Sequence, residues 1–308
     1  MSYVLGVDAG ATSTRAMVTD LDGQVLGNGR SGGGNPNAHP PEQAAGHIGE
    51  AITKALAGLE VAAVKAAVVG MAGTAKLTDP EVAAIFERAW RRVPCPVRLA
   101  TDADVAFASA TDEPDGTVLI AGTGSIAGRI RDRRLVSTVG GYGWLLGDEG
   151  SAFWVGRAAV RATLGALELI EPLGELARAV LAEAGVAVPD EEPDAHRQAW
   201  RELITAVNAQ PPIQLARFAP LVSAAAQRDE QAAAIVTDAA GALVRTARQA
   251  RDAEESTPVV LVGSVLGADS PVGQRVRAKL EALGIRVLGA NDGVLGAVRL
   301  ARESFSGL

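Results

Sequence analysis

Val4-Leu-Gly-Val-Asp8-Ala-Gly10-Ala-Thr12-Ser-Thr14 is the stretch on which the reading of the fold turns. An apolar strand runs into a carboxylate, a glycine step and a cluster of hydroxyls. Alternation through Ala16 and Val18 to the Asp22-Gly23 turn predicts a β-hairpin. Glycine lets a backbone approach a ligand closely, and the hydroxyls and amides of such a turn suit phosphate oxygens. Asp8, at the strand end, is placed to hold Mg²⁺ through water, because Mg²⁺ keeps much of its hydration. A plain tight hairpin would use the same residue types in its turn, so the stretch needs support from elsewhere in the chain.

The 308 residues predict two domains, and a formal charge of −7 with no Lys/Arg-rich window argues against a nucleic-acid surface. Cys95 is the only cysteine, which excludes an internal disulfide or a Cys-rich zinc site. His39, His47 and His196 share no ligand spacing, so no metal is expected on histidine. No apolar run is long enough for a membrane span, and Met1-Ser2-Tyr3 leads directly into a strand. The expectation is a soluble, cytoplasmic protein.

Along the chain, Ser31-Gly-Gly-Gly-Asn35-Pro-Asn37-Ala-His39-Pro-Pro41 is too rich in Gly and Pro for regular structure. It reads either as a linker or as a ligand loop in which Asn35 and Asn37 donate and accept hydrogen bonds. A helix opens at Pro41, and a buried strand at residues 64–69 ends in Gly70-Met-Ala-Gly73. A second helix over residues 80–92 and a short strand at 96–99 follow, and this alternation predicts an α/β fold. At Thr101-Asp102-Ala103-Asp104 a strand stops and a helix begins. Asp104 reads as a cap or first-turn residue. Asp102, just outside the helix, reads either as that cap or as a general base for a substrate hydroxyl.

Asp112-Glu-Pro-Asp-Gly116 is a polar break. After it, Val118-Leu-Ile-Ala-Gly122-Thr123-Gly124-Ser125 repeats the opening design, which implies an internal duplication. A dinucleotide fingerprint would need a helix after the glycines; alternation at Ile126, Gly128 and Ile130 predicts a strand instead. None of Lys54, Lys65, Lys76 and Lys279 follows a glycine, so there is no Walker P-loop.

Gly140-Gly-Tyr142-Gly-Trp144-Leu-Leu-Gly147-Asp148-Glu149-Gly150-Ser151 packs glycines around two aromatics and two acids, a composition suited to a sugar ring, and then enters a helix. From Glu171 to Asp252 the chain reads as Ala-rich helices, near residues 196–208, 212–227 and 229–251, around an acidic loop at 190–194. Pro258-Val-Val-Leu-Val262-Gly263-Ser264 is a strand ending in Gly-Ser, where α/β sheets present ligands. A last helix, residues 292–304, carries Gly293 and Gly296 and is expected to pack closely, with the nucleotide as one possible neighbour.

Together these motifs resemble the actin-like ATPase and sugar kinase superfamily. Within it the chain is similar to the BadF/BadG/BcrA/BcrD ATPase family, and most closely to its N-acetylglucosamine kinases. The resemblance runs nearly end to end and is most specific from Gly140 to Ser151. It implies two actin-like (ribonuclease H-like) α/β domains with duplicated strand–turn–hairpin cores and an interdomain cleft. The N-terminal domain would be residues 1–114, with residues 290–308 packing back on it, and the C-terminal domain residues 115–289 with a helical insertion.

By the same resemblance, Asp8, Gly10, Ala11, Thr12 and Thr14 would bind the ATP phosphates, with Asp8 also toward Mg²⁺. Gly122, Thr123, Gly124 and Ser125 would form the second phosphate motif. Ala216, Gly263 and Ser264 would meet the adenosine. Asn35, Gly73, Gly141, Tyr142, Gly143 and Asp148 would bind the sugar, with Asp102 as the base. Tyr142 stands where vertebrate N-acetylglucosamine kinases have tryptophan. The implied activity is ATP-dependent phosphorylation of an amino sugar at O6 by a homodimer. The expected order is N-acetylglucosamine, then glucosamine, with glucose far behind, the acetamido group resting on Gly32-Gly33-Gly34-Asn35. With no basic residue in these segments, a sugar bearing a carboxylate ranks low.

Two rivals belong to other classes. ATPases that activate 2-hydroxyacyl-CoA dehydratases share the nucleotide motifs but hold a four-iron cluster with two cysteines per subunit, where this chain has Cys95 alone. A non-catalytic sugar sensor would need neither Asp8 nor Asp102.

Overall fold

The computed structural model describes residues 1–190, 192–290 and 292–306, with side chains through residue 305. Glu191 of the acidic loop, Asn291 and the last two residues of the segment expected at 290–308 lie outside the described residues. The chain divides into two compact units: one is built from Met1–Val118, Arg129–Val136 and the chain from Ala290 onward, the other from Leu119–Gly128 and Ser137–Gly289.

In the first unit, β1 (Tyr3–Ala9), β2 (Thr14–Asp20) and β3 (Val25–Ser31) form an antiparallel meander. Parallel strands β4 (Val64–Met71) and β5 (Val97–Thr101) complete a mixed sheet of order β3-β2-β1-β4-β5. Helices α1 (Pro41–Ala55) and α2 (Pro80–Trp90) cover one face, where Ile48, Ile52 and Phe86 pack with Leu5, Val7 and Ala9. On the other face, α3 (Asp102–Ala110) and the last helix, α10 (Gly293–Ser306), pack Val105, Ala297 and Leu300 with Val4 and Val68. Burial on both faces explains why β1 reads as a continuous apolar run rather than an alternation.

At Gly296 the close packing expected of α10 is against protein. A Cβ at Gly296 would overlap Val105 O of α3, and one at Gly6 of β1 would overlap the backbone of Val298.

A second sheet, most of it in the second unit, repeats this plan. Strands β6 (Gly116–Ala121), β7 (Ser125–Arg131), β8 (Arg134–Gly140), β9 (Val259–Val262) and β10 (Val287–Gly289) take the order β10-β9-β6-β7-β8. Each strand of the first sheet thus has its counterpart five strands later, in the same place, as the repeated strand–turn motif implied. Asp132 and Arg133 both take positive φ in the β7–β8 turn, the geometry of a tight two-residue hairpin. Gly122–Gly124 runs into β7 rather than a helix, so the glycine spacing is not a dinucleotide fold.

Helices α4 (Ala152–Leu169), α5 (Glu175–Ala184), α6 (Pro193–Asn208), α7 (Ala219–Ala225), α8 (Glu230–Gln249) and α9 (Pro271–Glu281) build the rest of this unit. The single helix expected over 212–227 is instead a 3₁₀ segment, Pro212–Phe218, followed by α7. Pro220, without an N–H, cannot continue the helical ladder there. Among the described residues, no helix is long and apolar enough to cross a membrane.

Candidate functional site

The first glycine turn and the loop after β3 form one structure. Gly10 N–H closes the turn on Ser13 O at 3.0 Å, and Gly10 O accepts from Gly34 and Asn35 N–H at 3.0 and 3.2 Å. Thr12 is exposed. Thr14, expected at the phosphates, is fully buried, and its hydroxyl donates to Gly32 O at 2.8 Å. That is a correction with a simple cause: Thr14 is the first residue of β2, and its side chain points into the fold and not toward the turn.

Asn35 Oδ1 accepts from Asn37 N–H at 2.7 Å, leaving its amide nitrogen for a ligand. Gly73, with φ of 78°, faces Asn37, where a Cβ would lie 2.7 Å from the side-chain amide. The three glycines offer an acetamido group no room of their own. A Cβ at Gly32 would meet the His47 ring, at Gly33 Ala11 O, and at Gly34 the Thr14 hydroxyl. Their space is filled by protein, which corrects the expected acetamido cradle. The structure also brings Lys76 to this loop, its ammonium donating to Pro36 O at 2.8 Å. The loop therefore carries a cation that its own sequence does not show.

Asp8, at the end of β1, accepts from Arg15 at 2.9 Å, and the other arm of that guanidinium holds Asp292 at 2.7 Å. Burial pushes the Asp8 carboxyl above the usual carboxylate range, Arg15 opposes the shift, and the charges of Asp292 and Asp102 reinforce it. Arg15 stands directly opposite Asp8 in the β1–β2 register, whereas Asp292 was not legible as a partner, lying 277 residues from Arg15.

At the end of β5, Thr101 is the N-cap of α3 and forms a capping box with Asp104. The Thr101 hydroxyl accepts from Asp104 N–H at 3.1 Å, and Asp104 Oδ2 accepts from Thr101 N–H at 2.8 Å. Asp104 Oδ1 also accepts from Leu135 N–H at 2.6 Å, so this carboxylate is structural. The helix starts at Asp102, one residue earlier than expected, so Asp102 is inside it and is not the cap. Its Oδ1 takes Ala103 N–H at 3.0 Å, while the residue keeps an exposed surface. Desolvation of the carboxyl raises its pKa, more than the backbone N–H groups of Ala103 and Asp102 lower it, and the charge of Asp104 adds to the rise.

In the second unit, Gly122 N–H closes the repeated turn on Gly124 O at 3.0 Å, with Thr123 exposed at its tip. Ser125 is buried, and its hydroxyl donates to Glu149 O at 2.9 Å, so this side chain, like the amide of Gly122, is committed to the fold. Asp148 is also buried; its Oδ1 accepts from Ser125 N–H at 3.1 Å and ties the 140–151 segment to the turn. Gly141, Tyr142 and Gly143 are exposed, Tyr142 by 67%. Trp144 has a structural explanation, its ring lying 5.7 Å from that of Phe153 at the start of α4.

Three stretches far apart in sequence converge on one cavity of about 560 Å³ in this unit. Thr123, Ala216 and Ser264 line it, with Val155, Pro220 and Val272 supplying apolar walls. Size and lining suit a nucleoside, with a few polar groups on an apolar surface. Gly263, with φ of 99°, turns the chain out of β9 beside Ala121 to place Ser264 there.

An N-acetylmuramic acid/N-acetylglucosamine kinase of Clostridium acetobutylicum is 30% identical over 167 residues, 53% of this chain and 54% of that relative. The match thus spans about half of that relative's length. An N-acetyl-D-glucosamine kinase of Dictyostelium discoideum is 25% identical over 84% of both chains. A candidate N-acetylglucosamine kinase of Chromobacterium violaceum superposes with a TM-score of 0.72 at 26% identity, covering 98% of this chain and 99% of the other. A ROK family glucokinase of Streptomyces griseus, solved with glucose and AMPPNP, shares the fold with a TM-score of 0.54 at 20% identity, covering 98% and 100%. The sequence model of the BadF/BadG/BcrA/BcrD ATPase family matches residues 5–301, and the chain belongs to that family.

Proposed function

We propose that this protein is an ATP-dependent kinase that phosphorylates a hydroxyl, at O6, of an amino sugar, with N-acetylglucosamine the preferred acceptor. Asp102 carries the reading: a carboxylate at a strand end, excused from capping by Thr101 and Asp104, with a pKa raised toward that of a useful base. The family supplies ATP, and the relatives' names supply the sugar. Asp102 would accept the proton of the sugar hydroxyl as that oxygen attacks the γ-phosphorus of ATP, with ADP as the leaving group. Such transfer depends mostly on positioning and on neutralising oxygen charge, which the amides of the two glycine turns suit. The cavity lined by Thr123, Ala216 and Ser264 would take the nucleoside. Asn35 would hydrogen-bond the sugar through its free amide. A homodimer, expected from the resemblance, belongs to the same reading.

Magnesium fits the chain in one way. Among the described residues no group of three His, Cys, Asp or Glu side chains could hold a metal. Asp8 engages Arg15 through Oδ2 alone, and Gly293 keeps side-chain bulk away from the carboxylate. A Mg²⁺ entering with the nucleotide and keeping its waters suits a single carboxylate of this kind, where its charge would offset that of the phosphates.

Lys76 favours a second reading. Its ammonium on the Asn35–Asn37 loop gives a sugar carboxylate the partner that the sequence segments lacked, and one relative's name includes N-acetylmuramic acid. ADP release across N-acetylglucosamine, glucosamine, N-acetylmuramic acid and glucose tests both. The expected kcat/KM is highest for N-acetylglucosamine, with glucose at least about a hundredfold lower, below the ceiling of about 10⁴–10⁵ that unpaired polar groups can impose. If N-acetylmuramic acid leads instead and Lys76→Met removes that lead, the second reading replaces the first. Glucosamine leading by tenfold would contradict both.

A further inference from the structure

Two histidines that the proposed chemistry does not use hold the first glycine turn and the Asn35 loop together. His39 Nε2 lies 2.6 Å from Ala11 O, and His47 Nδ1 lies 2.8 Å from Gly33 O. A carbonyl only accepts, so His39 carries its proton on Nε2 and His47 on Nδ1. The rings meet edge to face, with centroids 6.2 Å apart. Gly33 is wedged at the centre: a Cβ there would overlap both Ala11 O and His39 Nε2, so the backbone of the loop lies against the backbone of the turn. Gly10 O, taking the amides of Gly34 and Asn35, closes the assembly.

We propose that His39 is a positioning residue that couples the phosphate turn to the acceptor loop, so that nucleotide bound at Gly10–Ser13 raises the affinity for sugar at Asn35. The inference rests on the function proposed above. Its physical basis is that Ala11 O and Gly33 share one clamp. Ordering the turn around phosphate fixes Ala11 O, and through His39 it orders the loop before the sugar arrives. The second ligand then loses less conformational entropy on binding, which appears as positive cooperativity. The relation is reciprocal, so sugar tightens nucleotide by the same factor. His47, anchored on α1, supplies the fixed point from which the clamp acts.

The test is calorimetric titration of N-acetylglucosamine into the intact protein, with and without a non-hydrolysable ATP analogue and Mg²⁺. The expected wild-type result is a sugar Kd lowered about fivefold or more by the analogue, the lower range of coupling between sites. His39→Ala should bring the ratio to within about twofold of unity. His39→Gln, whose amide nitrogen stands where Nε2 does, should restore it. A wild-type ratio near unity, or an unchanged ratio in His39→Ala, would overturn the coupling and leave the kinase reading standing. Failure of the wild type to bind the sugar under either condition would overturn the kinase reading, and the coupling with it. If His39→Ala does not fold, His39→Gln and His39→Leu are compared, and equal ratios in the two would overturn the role of the hydrogen bond.

Discussion

Asp102→Asn should lower kcat by about 10²–10⁴, the usual worth of a positioned general base, while leaving nucleotide affinity unchanged. The change keeps the acceptor oxygen that takes Ala103 N–H and leaves the Thr101–Asp104 capping box untouched, so α3 has no reason to fray. Stability moves the other way from activity. Burial raises the carboxyl's pKa in the folded protein, so above that pKa the ionised group weakens folding relative to the unfolded chain. Asparagine removes that penalty, and Tm at neutral pH should be unchanged or higher. In the wild type, kcat/KM should fall as pH drops through the raised pKa, which lies above the ordinary aspartate value of 3.8. In Asp102→Asn this limb of the profile should be absent. A loss smaller than about tenfold would assign Asp102 to the structure of the strand end and not to chemistry.

Gly296→Ala should destabilise the first unit, although alanine is the better helix former by about 1 kcal/mol. Propensity loses to sterics here because the new Cβ would overlap Val105 O and lie 2.8 Å from Ser109 N, both backbone atoms of α3 that cannot swing aside. Overpacking of this kind costs about 1–3 kcal/mol, which is several degrees in Tm. Gly46→Ala is the control. Gly46 also lies within a helix, α1, but a Cβ there meets nothing within 4 Å, so this substitution should stabilise by up to about 1 kcal/mol. Thermal unfolding of the two variants should shift in opposite directions. A stabilised Gly296→Ala would mean that α10 does not sit against α3 as described.

Local signals were legible in the sequence and long-range ones were not. The strand–glycine–strand designs at Val4 and Val118 were readable because a hairpin and its turn are contiguous, and their repetition exposed the duplicated sheet. Strands β3 and β8 were implied only as the second arms of the two hairpins and showed no pattern of their own: both are edge strands, and β3 carries Gly27 and Gly29, whose missing side chains let α1 approach. At only three residues, β10 was too short to show a pattern. Among site residues, the meeting of Thr123, Ala216 and Ser264 at one cavity followed from family motifs rather than from spacing. Thr14 read as a ligand hydroxyl because strand phase at a turn cannot be told from residue type. Lys76 and the histidine clamp were invisible for another reason: their partners, Pro36, Ala11 and Gly33, are backbone carbonyls, which carry no residue signature.

The central claim is that this chain moves the γ-phosphoryl group of ATP to an amino sugar, and the most direct measurement is product stoichiometry. Purified protein, ATP, Mg²⁺ and N-acetylglucosamine are incubated, and ADP and phosphorylated sugar are quantified together by ³¹P NMR. The account predicts one sugar 6-phosphate formed for each ADP, with ADP formation falling away when the sugar is left out. ADP and inorganic phosphate appearing in equal amounts, at the same rate with or without sugar, would contradict it.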